Sequence, residues 1–180
     1  MNRLWVHEFQ TPLGMIRVAA TTKGLALLTL PAESDEWFVR RLKSNFSEYE
    51  VSAGGALNSR VEKQIKEYFA GKRRKFDLPL DLKAAPFHLK VLGEVARIPF
   101  GETKTYGEIA RAVKNPKAVR AVGTANARNL IPIIIPCHRV VASNGLGGYG
   151  GGLDMKKYLL RLESVTAKPK STIHLSHQRS

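Results

Sequence analysis

The sequence predicts an α+β protein of two successive units, a strand-and-helix N-terminal unit followed by a mainly helical C-terminal one. Three observations carry that expectation. Residues from about Val6 to Leu30 alternate in the period of strands. Two later N-terminal stretches, and most of the chain after Pro86, repeat apolar side chains every three to four residues. Between these regimes lies a proline-bearing connector of weak period, 77–86. The expected domains are 1–80 and 81–165, with a basic tail over 166–180.

Each element has its own signal. Met15–Ala19 and Leu25–Thr29, separated by a loop ending in Lys23-Gly24, read as a hairpin. Helical spacing runs over Glu36–Phe46 and over Ala56–Phe69, the second through Val61, Ile65, Tyr68 and Phe69 with Gly71 as its stop. Phe87, Val91, Val95 and Ile98 define a third helix, with Pro86 at a tolerated first-turn position. Thr105-Tyr106-Gly107-Glu108 has the form of a capping box, so a helix should run from about Tyr106 to Val113. Asn115-Pro116 supplies an N-cap and a first-turn proline for another helix, Lys117 to about Ala127. These two short helices have the spacing of a helix-turn-helix, and a last helix spans Asp154–Glu163.

The chain has 180 residues, with 29 Lys and Arg against 15 Asp and Glu, for a formal net charge of +14. That imbalance favours polyanionic partners, nucleic acid above all. The N-terminus lacks the apolar run of a signal peptide, and Ile133–Ile135 is far too short to cross a bilayer, so a cytoplasmic or nuclear protein without a membrane role is expected. A single cysteine cannot form an internal disulfide, and no Cys/His cluster has zinc-ligand spacing. Nothing calls for a metal or an organic cofactor, and His174 and His177 in the tail read as solvated. Cys137 is then either inert filling or a reactive thiol.

Asn129-Leu-Ile-Pro132-Ile-Ile-Ile-Pro136-Cys137-His138-Arg139-Val140 is the most informative segment. Its two prolines oppose a helix or a central strand and place the thiol at a rigid, half-buried bend. Flanking His138 and Arg139 make a lowered thiol pKa the reactive reading, although neighbours in sequence need not touch. The stretch from Arg97 to Arg128 carries seven basic residues (Arg97, Lys104, Arg111, Lys114, Lys117, Arg120, Arg128) against Glu102 and Glu108. Ala118, Ala121, Gly123 and Ala125 would let the second helix lie close to a narrow groove. Gly145-Leu-Gly-Gly-Tyr149-Gly150 matches the G-x-G-x-x-G dinucleotide pattern by letter. One helix and then the tail follow it, so it reads as a loop by which backbone approaches a flat ligand. Glu163 lies at the edge of the apolar face of the last helix, near the negative end of its dipole. It is either a solvated acid on a fraying turn or the acceptor of a histidine hydrogen bond.

Pro136-Cys137-His138-Arg139-Val140, with Asn129 before it and Glu163 after a glycine-rich loop, resembles the alkylguanine-DNA alkyltransferases, or methylated-DNA-protein-cysteine methyltransferases. The similarity extends over about Phe87–Glu163 and includes Tyr106-Gly107-Glu108-Ile109-Ala110 and Arg120-Ala121-Val122-Gly123. It implies a ribonuclease-H-like α/β domain followed by a winged helix-turn-helix-like DNA-binding domain bearing the active cysteine. By the same resemblance Cys137 is the alkyl acceptor, His138 acts on it through a water, Glu163 orients His138, and Asn129 braces the turn joining the helix-turn-helix to the active-site segment. Arg120 would fill the place of the extruded nucleotide and Tyr106 would crowd its phosphate, with Lys117, Ala121 and Gly123 also on the DNA face. Pro132, Val140, Tyr149 and Gly150 would line the guanine pocket. Gly150 stands where some members have serine, which leaves the pocket roomier.

The implied partner is double-stranded DNA containing alkylated guanine, entered from the minor groove by a monomer. The implied activity is single-turnover DNA repair by transfer of an alkyl group from guanine oxygen-6 to Cys137. A basic helix-turn-helix regulator with a structural cysteine is the competing reading, and a cysteine hydrolase is a third. Mass measured after incubation with methylated DNA separates them.

Overall fold

The structure, a computed structural model, describes residues 2–166. The basic tail expected over 166–180 lies outside the described residues apart from Thr166. Strands β1 (Asn2–Thr11) and β2 (Gly14–Thr21) pair antiparallel, with Leu4 opposite Thr21 and Thr11 opposite Gly14. Strand β3 (Leu25–Leu28) continues antiparallel against β2, and β4 (Tyr49–Ala53) runs parallel to β1, giving the order β3-β2-β1-β4. The hairpin read from the sequence is therefore β2–β3. The alternating stretch before it begins earlier than Val6 and forms a strand of its own. Strand β4 was not expected, because Tyr49–Ala53 is an edge strand with no fully buried side chain and hence no apolar alternation.

Helix α1 (Asp35–Phe46) starts at Ser34, whose hydroxyl accepts from the Trp37 N–H at 3.2 Å, and Asp35 and Glu36 favour its positive end. Helix α2 (Ala56–Phe69) buries Val61, Ile65, Tyr68 and Phe69 at the expected spacing. It ends where Gly71, at φ +71°, donates to the Tyr68 carbonyl. The connector is not loose. Leu25 donates to the Pro79 carbonyl and accepts from the Asp81 N–H, both at 2.8 Å, so the connector covers the open edge of β3. Gly24 is required there, since a Cβ would lie 2.6 Å from the Pro79 carbonyl. The Leu28 N–H reaches across to the Leu130 carbonyl at 2.8 Å, joining the N-terminal sheet to the segment that carries the cysteine.

In the C-terminal unit, α3 (Pro86–Ala96) has Pro86 in its first turn and buries Val91, Leu92 and Val95. Helix α4 (Tyr106–Ala112) carries the expected capping box: Thr105 Oγ1 accepts from the Glu108 N–H at 3.2 Å, and Glu108 Oε2 accepts from the Thr105 N–H at 2.7 Å. Helix α5 (Val119–Ala127) starts two residues later than expected. Lys114 takes a left-handed φ of +61°, and the Asn115 carbonyl accepts from the Ala118 N–H, so Asn115-Pro116 closes a turn and does not cap the helix. Two short parallel strands, β5 (Lys104–Thr105) and β6 (Val140–Val141), tie the start of α4 to the residues just after Cys137. Helix α6 (Leu153–Thr166) closes the described fold.

Candidate active site around Cys137

Cys137 opens a single 3-10 turn, Cys137–Arg139, delivered by the two prolines. Ile133 before it adopts φ +72°, a conformation costly for a β-branched residue, and the surroundings hold it there. Asn129 does much of that holding. Its Nδ2 donates to the Ile135 carbonyl at 2.9 Å and its Oδ1 accepts from the Ile131 N–H at 3.0 Å. Asn126, one turn back on α5, donates to the Cys137 carbonyl at 3.2 Å. The bend is thus strapped to the end of α5 by two asparagines.

Behind the cysteine, Glu163 is 1% exposed and fully engaged. Its Oε1 accepts from His138 Nε2 at 2.7 Å, the Tyr68 hydroxyl at 2.8 Å and Arg139 Nη2 at 2.9 Å. Its Oε2 accepts from Arg139 Nε at 2.9 Å and the Gly101 N–H at 3.3 Å. Burial alone would push this carboxyl up. The hydrogen bonds and charges of His138 and Arg139 together outweigh burial and hold it at about 2. A carboxylate only accepts, so the His138 proton sits on Nε2. Burial also keeps His138 from taking a second proton, lowering its pKa against the pull of Glu163. Its Nδ1 is left as a bare lone pair, buried and without a partner among the described residues.

The thiol departs from the sequence reading. Arg139 spends its guanidinium on Glu163 and on the Ile98 carbonyl, so it is no thiolate counter-ion. Burial dominates and pushes Cys137 up to about 11, only partly opposed by an Asn129 hydrogen bond and by Lys156. Tyr149 presses a buried hydroxyl towards the sulfur; burial first, and then any charge on Cys137, raise it well above its usual range.

Cys137 opens onto a cavity of about 340 Å³. Tyr106, Gly123, Asn129, Pro132, Tyr149 and Gly150 share its lining, so the structure brings these expected site residues together. Val140 does not line it. This side chain is fully buried in β6, and its carbonyl accepts from Lys156 Nζ at 2.6 Å. Lys117, Arg120 and Ala121 lie exposed on and just before α5, outside the cavity.

Three site residues were missed by sequence reasoning. Tyr68 looked like ordinary core of α2. Arg139 reads in sequence as a charge beside the thiol. Lys156, fully buried, donates to the carbonyls of Val140, Leu146 and Gly148 and so ties the glycine loop to β6. A lysine on the apolar side of the last helix was the one available signal. From the N-terminal unit, Leu30, Glu33, Trp37 and Arg41 complete the cavity wall, and no local motif marks them.

Comparison with known proteins places the chain in a family. Residues 86–165 match the family model for the 6-O-methylguanine DNA methyltransferase DNA binding domain, and residues 6–82 match the ribonuclease-like domain of the same family. The chain is 41% identical over 163 residues to the constitutive methylated-DNA–protein-cysteine methyltransferase of Bacillus subtilis, covering 89% of this chain and 96% of that protein. It is 41% identical to the Methanosarcina mazei protein of the same name, over 92% of this chain and all of the relative. The crystal structure of Mycobacterium tuberculosis OGT in complex with DNA superposes with a TM-score of 0.78 at 36% identity, covering 91% of this chain and 94% of that one. Both halves of the fold and the setting of Cys137 therefore lead to one assignment: the chain belongs to the 6-O-methylguanine DNA methyltransferase family.

Proposed function

We propose that this protein repairs DNA directly, moving an alkyl group from oxygen-6 of guanine in double-stranded DNA onto Cys137, once per molecule. The observation that carries the reading is the placement of Cys137 in the wall of a 340 Å³ cavity, beside a buried histidine whose Nδ1 is a free acceptor. In the reaction the sulfur–carbon bond forms as the carbon–O6 bond breaks. The thiol proton passes to His138 Nδ1 through one water, and guanine leaves with the carbon–O6 electron pair and takes up a proton from solvent. The thioether has no nearby group to hydrolyse it.

Resting ionisation cannot drive this step. Burial pushes the thiol up, so the thiolate is the minor species at neutral pH. Deprotonation must accompany substrate entry, with Glu163 stabilising the imidazolium that forms. Orientation in the pocket supplies the larger share, on the order of 7 kcal/mol or more.

A base stacked in duplex DNA cannot reach Cys137, so the nucleotide must rotate out, at a cost of a few kcal/mol. In this reading a monomer lays α5 in the minor groove through Lys117, Ala121 and Gly123. Arg120 fills the vacancy and Tyr106 crowds the rotated phosphate. Pro132, Tyr149 and Gly150 hold the base. Intact mass after incubation with duplex containing O6-methylguanine tests it. One methyl gained per molecule, mapping to Cys137, is the expected result; unchanged mass with tight binding identifies a DNA-binding protein only.

A further inference from the structure

A second concave surface adjoins the lesion cavity. It is a groove of about 430 Å³ between α1 and the end of α5, lined by Arg41, Asn45, Lys83, His88 and Arg128 among others. Arg41 lines both the groove and the cavity. The C-terminal end of α5 borders both as well, through Asn126 and Ala127 on the cavity side and Arg128, the residue just after the helix, on the groove side. We propose that this groove binds the phosphodiester backbone of DNA flanking the extruded nucleotide, making α1 and the connector part of the DNA interface.

The cations are presented for an anion outside the protein. Among the described residues, Arg41, Lys83 and Arg128 form no ion pair with a carboxylate; the ion pairs of this chain lie elsewhere. Two of them are fixed by aromatic rings. The Arg41 guanidinium lies 4.7 Å from the centre of the Trp37 ring, and Lys83 Nζ lies 4.7 Å from that of Phe46 and 4.6 Å from that of Tyr49. Lys83 Nζ also donates to the Asn45 carbonyl at 3.3 Å and the Tyr49 hydroxyl at 3.2 Å, leaving one of its three protons for a ligand. Ring faces and neutral acceptors hold these side chains without cancelling their charge, so binding an anion costs little further ordering. Glu33, on the cavity side of Arg41, is the acid that feels its charge, and it gives Oε2 to the Leu30 N–H at 2.6 Å. A nucleotide seated in the cavity leaves its neighbouring phosphates at the rim, where Arg41 stands.

The proposal rests on the repair reading only in taking DNA as the partner, and its test needs no lesion. Binding of the full chain to undamaged duplex is measured by fluorescence anisotropy across a salt series. For Lys83→Gln with Arg128→Gln, the slope of log affinity on log salt becomes shallower by about two, and binding at 0.15 M salt weakens about thirtyfold. Arg41→Gln alone shifts the slope by about one. The charge-conserving pair Lys83→Arg with Arg128→Lys keeps the wild-type slope. An unchanged slope in the double Gln variant and in Arg41→Gln overturns the groove, as does an equal loss in the charge-conserving pair. Methyl uptake by the wild-type chain is scored separately. Uptake with unchanged slopes sinks the groove and leaves the repair reading standing, whereas shallower slopes without uptake do the reverse.

Discussion

The Tyr68 hydroxyl, on α2 of the N-terminal unit, donates at 2.8 Å to Glu163 Oε1, 95 residues away on the last helix. Both groups are buried, so the N-terminal unit supplies one of the donors that satisfy the Glu163 carboxylate. Tyr68→Phe removes that donor without changing the packing of the ring. It should lower stability by about 1.5–3 kcal/mol, the range for a buried hydrogen bond to a charge, measured by urea unfolding. Wild-type stability would remove Tyr68 from the network.

Glu163 gives stability a defined acid limb. Its folded pKa of about 2 is depressed below the ordinary carboxyl value of 4.5, so its contribution is complete above about pH 4.5 and is lost as pH falls towards 2. A difference of that size corresponds to roughly 3 kcal/mol. Unfolding free energy followed over this window should fall more steeply in wild type than in Glu163→Gln, which lacks the titration. Parallel curves would place the acid sensitivity in other groups.

Burial of Cys137 gives the opposite sign at alkaline pH. Its folded pKa of about 11 lies above the thiol's usual value, so the neutral form is favoured in the folded state. That stabilisation is complete below the unfolded pKa and is lost as pH rises towards 11. Carbamidomethylation of Cys137 by iodoacetamide should accelerate up to about pH 11. A plateau near pH 7 would mean the resting sulfur is already a thiolate.

Gly147 adopts φ +70°, and a Cβ there would lie 2.8 Å from the Tyr106 ring and 2.9 Å from its hydroxyl. Gly147→Ala must either shift the glycine loop or expel Tyr106 from the cavity wall. Alkyl transfer from methylated duplex should slow by at least tenfold, while the unfolding midpoint falls by only about 1–2 kcal/mol equivalent. Single-turnover kinetics with quench-flow sampling reads the first and urea titration the second.

Arg120 stands exposed on α5, away from the cavity lining. If it occupies the space of the rotated nucleotide, Arg120→Ala should slow repair of duplex by tenfold or more, the loss expected when a few kcal/mol of unstacking goes uncompensated. Reaction with free O6-benzylguanine should change less than twofold. Equal losses on both substrates would remove the wedge role.

How much of this was legible depends on whether the cause was local. The capping box at Thr105–Glu108, the periodicity of α2 and the proline-framed bend at Cys137 are all set by residues within a few positions of each other. Each appears where the sequence placed it. The partnership of His138 and Glu163 could be anticipated because an acid on an apolar helix edge needs a donor. Long-range causes left no local trace. Strand β4 is defined by its pairing to β1, and Tyr68 earns its role through a contact 95 residues distant. Adjacency in sequence leaves open whether Arg139 faces the sulfur, and the 3-10 turn sends its guanidinium to Glu163 instead. Asn115-Pro116 misled for a similar reason, since Lys114 in the left-handed region makes it a turn.

A sulfur that is spent in one reaction has to last until that reaction arrives. Peroxide and stray electrophiles attack thiolates far faster than thiols, and they attack exposed sulfur first. Cys137, 5% exposed and protonated at rest, is shielded on both counts. The same burial that makes deprotonation costly therefore also slows oxidation and stray alkylation of the unreacted sulfur.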